Sequence, residues 1–204
     1  MSQVEKAMGN TFQVFLDGVL QPSSRFNTSA WVAGQVIKVP LFAPGSLRAG
    51  ASHAVTIVKD MEPQFAGTAV TPNYVTFHGF GGDAGLRLVA PARRRASPQP
   101  KVEFLGDSIT AGFDNQCDIP GSPQGFPWSE SFIKSWATLI CDQLDAECHY
   151  NAWSGFGMVA NCCGGSTLGS DVWGRTLATV GSTNTSVPHG TTPENEWDFS
   201  SWKA

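Results

Sequence analysis

Two hydrophobic periods divide the chain. Through residues 1–92 the apolar runs are short and separated by turn chemistry, and no apolar repeat reaches helical length. Phe12-Gln13-Val14-Phe15-Leu16 reads as a strand, and the Asp17-Gly18 that follows is a strong hairpin dipeptide. Further strands are expected over 35–39, 53–58, 75–80 and 85–89, with Ala43-Pro44-Gly45-Ser46 and Phe80-Gly81-Gly82-Asp83 as turn-rich breaks. Strands this short predict a sandwich or jelly roll, although about five fall short of the eight in a two-sheet jelly roll. The first strand has almost no lead-in and is expected to form an unpartnered edge.

Residues 93–100, Arg-Arg-Arg-Ala-Ser-Pro-Gln-Pro, carry two prolines and no apolar side chain larger than alanine, and are read as a linker between domains. Beyond them the period changes. Residues 102–105 form a β run, and Phe132, Trp136, Ile140 and Leu144 then recur every four positions with Ile133 and Ala137 beside them. That spacing predicts a helix over 129–144 with Trp136 on its core face. Residues 148–153 read as the next strand. Strand, helix, strand is a βαβ unit, which requires a parallel pair. Residues 166–190 are rich in Gly, Ser and Thr, with one helical turn expected near 172–177. The domains expected are therefore 1–92 and 101–204.

The candidate chemistry lies where this first strand ends. Lys101-Val102-Glu103-Phe104-Leu105 runs into Gly106-Asp107-Ser108-Ile109-Thr110-Ala111-Gly112, placing a serine at a strand's carboxyl end, where open α/β sheets bind their ligands. A serine hydroxyl needs a base to take its proton and preorganised donors for the oxyanion that forms on attack. Ser108 is the candidate nucleophile, and its own N–H a candidate donor. Asp107 is better read as a turn or cap carboxylate than as a partner, because adjacent residues seldom point into one pocket. The second strand ends in Asn151-Ala152-Trp153-Ser154-Gly155-Phe156-Gly157-Met158. Parallel neighbours end on the same side, so Gly155 is expected near Ser108.

The first of these runs resembles the opening block of the SGNH (GDSL-type) hydrolases, in which this serine is the nucleophile. The second resembles their next block, in which a glycine N–H, here Gly155, is an oxyanion donor. A β region ahead of Gly-Asp-Ser-Ile-Thr, followed by Asn-Ala-Trp-Ser-Gly-x-Gly-Met, narrows the resemblance to carbohydrate esterase family 2. Residues 10–19 are similar to a strand of that family's jelly roll, and Trp173-Gly174-Arg175-Thr176-Leu177 and Trp197-Asp198-Phe199-Ser200 to segments before its third block. The resemblance implies an SGNH-hydrolase (flavodoxin-like) α/β domain, incomplete, preceded by a partial all-β jelly roll. It also implies metal-free removal of acetyl groups from polysaccharide through an acyl-serine, with no cofactor. Ser108 and Gly155 are then the catalytic positions and Asp107 and Asn151 supporting ones. Trp128, Trp153 and Trp173 are either substrate contacts or core.

The family's third block, Gly-x-Asn-Asp, and its fifth, Asp-x-x-His, do not occur in these 204 residues. The asparagine donor and the histidine base are thus not supplied, and the chain is expected to be truncated at both ends. Two rival readings follow: a catalytically inactive carbohydrate-binding remnant, or an SGNH lipase or thioesterase acting on acyl chains. His53 and His78 fall in expected strands and read as surface or packing residues, and His149 as pointing away from Ser108. His189 reads as a loop histidine without a role, though in principle within reach of the serine.

Composition changes little of this. With 41 % hydrophobic and 15 % charged residues the chain has the makings of a core. A net charge of −4 gives no electrostatic reason to expect nucleic acid, and Arg93-Arg94-Arg95 reads as solvated linker. No run approaches the roughly 18 apolar residues of a membrane span. Cysteines 117, 141, 148, 162 and 163 show no zinc spacing, so no metal is expected, and their odd number leaves at least one thiol free within the chain. Two glycosylation sequons, at Asn27 and Asn184, matter only for a secreted protein. The first residues lack a signal peptide's apolar core, whereas the resemblance implies an extracellular protein; oligomeric state is open.

Overall fold

The computed structural model describes residues 10–32, 34–62, 75–82, 85–89, 99–116, 129–161, 173–174, 197–198 and 200. The linker expected at 93–100 lies almost wholly outside them, as do Trp128, His189 and most of 166–190.

The first sheet is built around one strand. β1 (Thr11–Leu16) pairs antiparallel with β2 (Val19–Leu20), β3 (Phe26–Asn27) and β4 (Val55–Lys59). The turn from β1 to β2 has positive φ at both central residues, 52° at Asp17 and 81° at Gly18. Two such residues match the twist of a tight hairpin, which is why this dipeptide stands here. The Asp17 carboxylate also accepts the Ala54 N–H at 2.7 Å and pairs with His53 at 2.8 Å, tying the turn to the start of β4. Val14 is fully buried, and Phe12 stacks on Phe26 with centroids 4.9 Å apart.

Two expectations for this half are corrected. β1 is not an edge: β4 covers one side of it, and β2 and β3 share the other. Residues 35–39, 75–80 and 85–89 are not strands, and Val36, Phe77 and Leu88 stay exposed. An alternating pattern becomes a strand only where its N–H and C=O groups find a ladder partner, and no described strand lies beside these segments.

The second half is the expected parallel unit. β5 (Lys101–Gly106) and β6 (Glu147–Ala152) pair in register from Lys101↔Glu147 to Gly106↔Ala152. Between them come a one-turn helix, α1 (Ser108–Ala111), and the longer α2 (Trp136–Leu144). Phe104 packs with Ala137 and Cys141 of α2, with Val102, Cys148 and Tyr150 around them.

α2 is shorter than the periodicity predicts, and it turns a different face inward. Ser135 is extended and caps it, its hydroxyl accepting the Thr138 N–H at 3.3 Å; residues 132–134 form only a 3₁₀ turn, and 129–131 are not helical. Ala137 and Cys141 are buried, whereas Trp136 is 45 % and Leu144 51 % exposed. Small side chains occupy the line of closest approach to the strands, displacing the bulky stripe to the flank. There Trp136 keeps an edge contact with Phe104 at 5.5 Å. A disulfide between Cys141 and Cys148 holds that rotation by joining α2 directly to β6.

No helix among the described residues is long and apolar enough to cross a membrane. The disulfide closes a short loop of sequence separation 7, for which the chain-entropy relation gives about 2 kcal/mol. Replacing both Cys141 and Cys148 with Ala should lower the unfolding free energy in urea by about that amount.

Candidate active site

The Gly-Asp-Ser turn is a compact local structure. Asp107 is extended and its Oδ1 accepts the Ile109 N–H at 3.0 Å, making it the cap of α1. Ser108 is the first helical residue and is half-buried; its carbonyl accepts the Gly112 N–H at 3.1 Å and the Phe113 N–H at 2.8 Å. Gly106 is required by crowding, since a Cβ there would stand 2.0 Å from Thr110 Oγ1. Gly112 ends the helix at φ 98°, and a Cβ on it would meet the Ser131 carbonyl at 2.4 Å. The glycines before and after thus let α1 fold back against β5 and present Ser108 at the strand's end.

The loop after β6 leaves from the same end of the sheet. Trp153 donates its N–H to the Gly106 carbonyl at 3.2 Å, and Gly155 turns the chain at φ 84°. A cleft of about 420 Å³ opens here, walled by Gly106, Asp107, Asn151, Trp153, Phe156 and Trp173 among others; Ser108 and Gly155 lie beside it rather than in its wall. Asn151 organises its aromatic side. Its Oδ1 accepts the Trp153 Nε1–H at 2.7 Å, and its Nδ2 donates to the Trp173 carbonyl at 2.9 Å. Trp173 in turn donates Nε1–H to Glu103 at 3.0 Å.

Trp153 is buried, while Trp173 leaves 44 % of its surface exposed. Trp128 lies outside the described residues. Of the histidines, His53 sits at the β1–β2 turn with Asp17, and His78 is exposed. His149 packs edge-on against Trp197 at 4.5 Å, and its burial lowers its pKa. Among the described residues no group of three or more His, Cys, Asp or Glu is arranged to hold a metal ion.

A second polar cluster lies beneath the site, and nothing in the sequence pattern points to it. From the last residue of β4 the chain runs Lys59-Asp60-Met61-Glu62, and residues 129–133 lie across it. Asp60 is fully buried and accepts from Gln13 Nε2 at 2.7 Å, Ser131 Oγ at 3.0 Å and the Ile133 N–H at 2.9 Å. Buried Glu130 accepts the Glu62 N–H at 2.9 Å through Oε1, and its Oε2 has no hydrogen-bond partner among the described residues. The Glu62 carboxylate takes both the N–H of Ser154, at 2.7 Å, and its hydroxyl. Burial, and then the neighbouring Glu62, pushes Glu130 up to about 8; burial likewise raises Glu62 and brings Lys59 down to about 8. No periodicity marks these acids, because their burial comes from a segment about seventy positions away.

Comparison with known proteins puts a family to this arrangement. The curated cellulase/esterase CelE of Acetivibrio thermocellus is 30 % identical over 153 residues, 74 % of this chain and 16 % of its own length. A family two carbohydrate esterase from Clostridium thermocellum, solved in complex with cellohexaose, is 30 % identical with a TM-score of 0.61, over 84 % of this chain and 46 % of that one. An active-site mutant of a family two carbohydrate esterase from the same organism is 28 % identical with a TM-score of 0.66, over 96 % and 50 %. The chain is related to the family 2 carbohydrate esterases. No family model matches it. It spans about half the length of these solved relatives and a smaller part of the curated one.

In this family 2 relative the buried acids have a measurable signature. Glu130 holds its proton in the folded state up to about 8, whereas in the unfolded chain it releases it near 4.5. The folded state thus binds the extra proton, and stability falls as pH rises between those values. Glu62 acts in the same sense; Lys59 acts in the opposite sense, above about 8. Glu130→Gln, which keeps the group neutral, should flatten the decline in urea midpoint between pH 4.5 and 8 and raise the midpoint at its upper end.

Proposed function

We propose that this chain carries the nucleophile and two oxyanion donors of a serine-dependent ester hydrolase that removes acetyl groups from carbohydrate. One observation carries the reading: the in-register pairing of Gly106 with Ala152, which brings the Gly-Asp-Ser turn and the Ser154–Gly155 loop to one end of the β5–β6 pair. In this reading the residues after the linker are the opening part of an SGNH-type domain, and those before it part of a jelly roll.

The chemistry follows from the positions. Ser108 Oγ attacks the acetyl carbonyl while its proton passes to a base, and the oxyanion is held by the N–H groups of Ser108 and Gly155. Collapse expels the sugar hydroxyl and leaves acetyl-Ser108, which water then hydrolyses. Asp107 contributes by capping α1, and Asn151 by holding Trp153 and Trp173 in the cleft wall. The half-exposed indole of Trp173 suits a pyranose face, and the cellohexaose complex of the Clostridium thermocellum relative supports a saccharide occupant. The Cys141–Cys148 disulfide favours an oxidising, extracellular setting.

The half-exposed indole of Trp173 also suits a second reading, in which the cleft binds saccharide without turning it over. A fluorophosphonate probe and a series of 4-nitrophenyl esters decide between them. The hydrolase reading expects labelling of Ser108, preference for acetyl over longer acyl groups, and loss of both on Ser108→Ala. Cello-oligosaccharide binding that survives Ser108→Ala, with no labelling and no turnover, would establish the binding reading instead. Faster turnover of long acyl esters would mark a lipase or thioesterase.

A further inference from the structure

The antiparallel sheet reaches the β6 loop through one side chain. Glu62, just beyond β4, is buried, and both oxygens of its carboxylate are spent on Ser154: Oε2 accepts the N–H at 2.7 Å and Oε1 accepts the hydroxyl. Its own N–H donates to Glu130 Oε1 at 2.9 Å, so the backbone that carries this carboxylate is itself anchored. Ser154 immediately precedes Gly155, and the peptide plane bearing the Gly155 N–H begins at the Ser154 carbonyl carbon. Fixing Ser154 at both its amide and its side chain leaves little freedom in where that N–H points. That direction is set by the rotation of Ser154 about its own Cα–C bond, so what holds Ser154 bears on the Gly155 N–H. An oxyanion donor acts only if held within a few tenths of an ångström of its place.

We infer that Glu62 is a positioning residue for the oxyanion hole: a carboxylate supplied by the antiparallel sheet that sets the direction of the Gly155 N–H through Ser154. This rests on the roles proposed above for Ser108 and Gly155. It gives the β region a part in catalysis distinct from binding substrate. A purely structural link between the two sheets would move stability alone. A positioning residue moves the transition state selectively, lowering kcat while KM stays in place.

The test uses the full chain with four substitutions, one of them the Ser108→Ala control, and two readouts. Glu62→Ala removes both acceptors. Glu62→Gln keeps an acceptor for the Ser154 N–H and puts a donor opposite its hydroxyl, which accepts equally well. With 4-nitrophenyl acetate, Glu62→Ala should lower kcat about tenfold or more with KM within about twofold, and Glu62→Gln should return kcat to within about threefold of the parent. In parallel, the ¹H–¹⁵N residual dipolar coupling of the Gly155 amide should change in Glu62→Ala and revert in Glu62→Gln. Should Glu62→Ala fail to fold, Ser154→Ala, which deletes only the hydroxyl contact, should shift both readouts the same way by less. An unchanged Gly155 coupling, or an unchanged kcat in a protein that Ser108→Ala inactivates, overturns the inference. If Ser108→Ala leaves turnover intact, the proposed function fails instead, and the catalytic role of Glu62 falls with it, whereas the coupling still reports whether Glu62 orients the loop.

Discussion

A buried carboxyl group needs hydrogen-bond donors around it, and Asp60 shows what meeting that demand does to a fold. Three donors converge on it from two parts of the chain: Gln13 of β1, and Ser131 and Ile133 from the segment leading into α2. The backbone follows the side chains, with the Asp60 N–H bonded to the Thr11 carbonyl and its carbonyl taking the Phe132 N–H at 3.3 Å. A buried polar group left without partners costs about 1–3 kcal/mol. The antiparallel sheet and the parallel unit are therefore held in one relation by a requirement for satisfaction more than by apolar area.

That seam explains features of the second half that its own sequence pattern does not. Residues 129–131 remain outside α2 because Ser131 and Glu130 are committed to Asp60 and Glu62. The 3₁₀ turn and the late cap at Ser135 follow, since the helix begins only once the chain has left the seam. The same segment reaches α1, where Ser131 donates its N–H to the Gly112 carbonyl. The turn that carries Ser108 and the loop that carries Gly155 are thus both tied to this seam, the first through Ser131 and the second through Glu62.

Features whose causes lie within a few residues are legible in the sequence. Asp17-Gly18 makes its turn through positive φ at two adjacent positions, and Asp107 caps α1 two residues on. β5 and β6 appear where the apolar runs stand, and the two glycine-bearing loops follow them. What decides each of these is local sterics and local hydrogen bonding, so the residue types alone carry the information.

Everything set by a distant partner needed the tertiary structure. The alternating segments 35–39, 75–80 and 85–89 read as strands but have no described ladder to join, and β1, which reads as an edge, is central because β4 returns to it. Spacing correctly marked α2 as amphipathic but chose the wrong face, because Ala137 and Cys141 fit the close approach to Phe104 and a disulfide holds them there. Lys59-Asp60-Met61-Glu62 has the composition of a solvated turn and is buried by residues some seventy positions on. By itself the sequence determined the strand-to-serine turn and its glycine counterpart, through short-range backbone constraints. Only the fold decided which faces are covered and which acids lie beneath the site, because burial belongs to pairs of segments and not to either one alone.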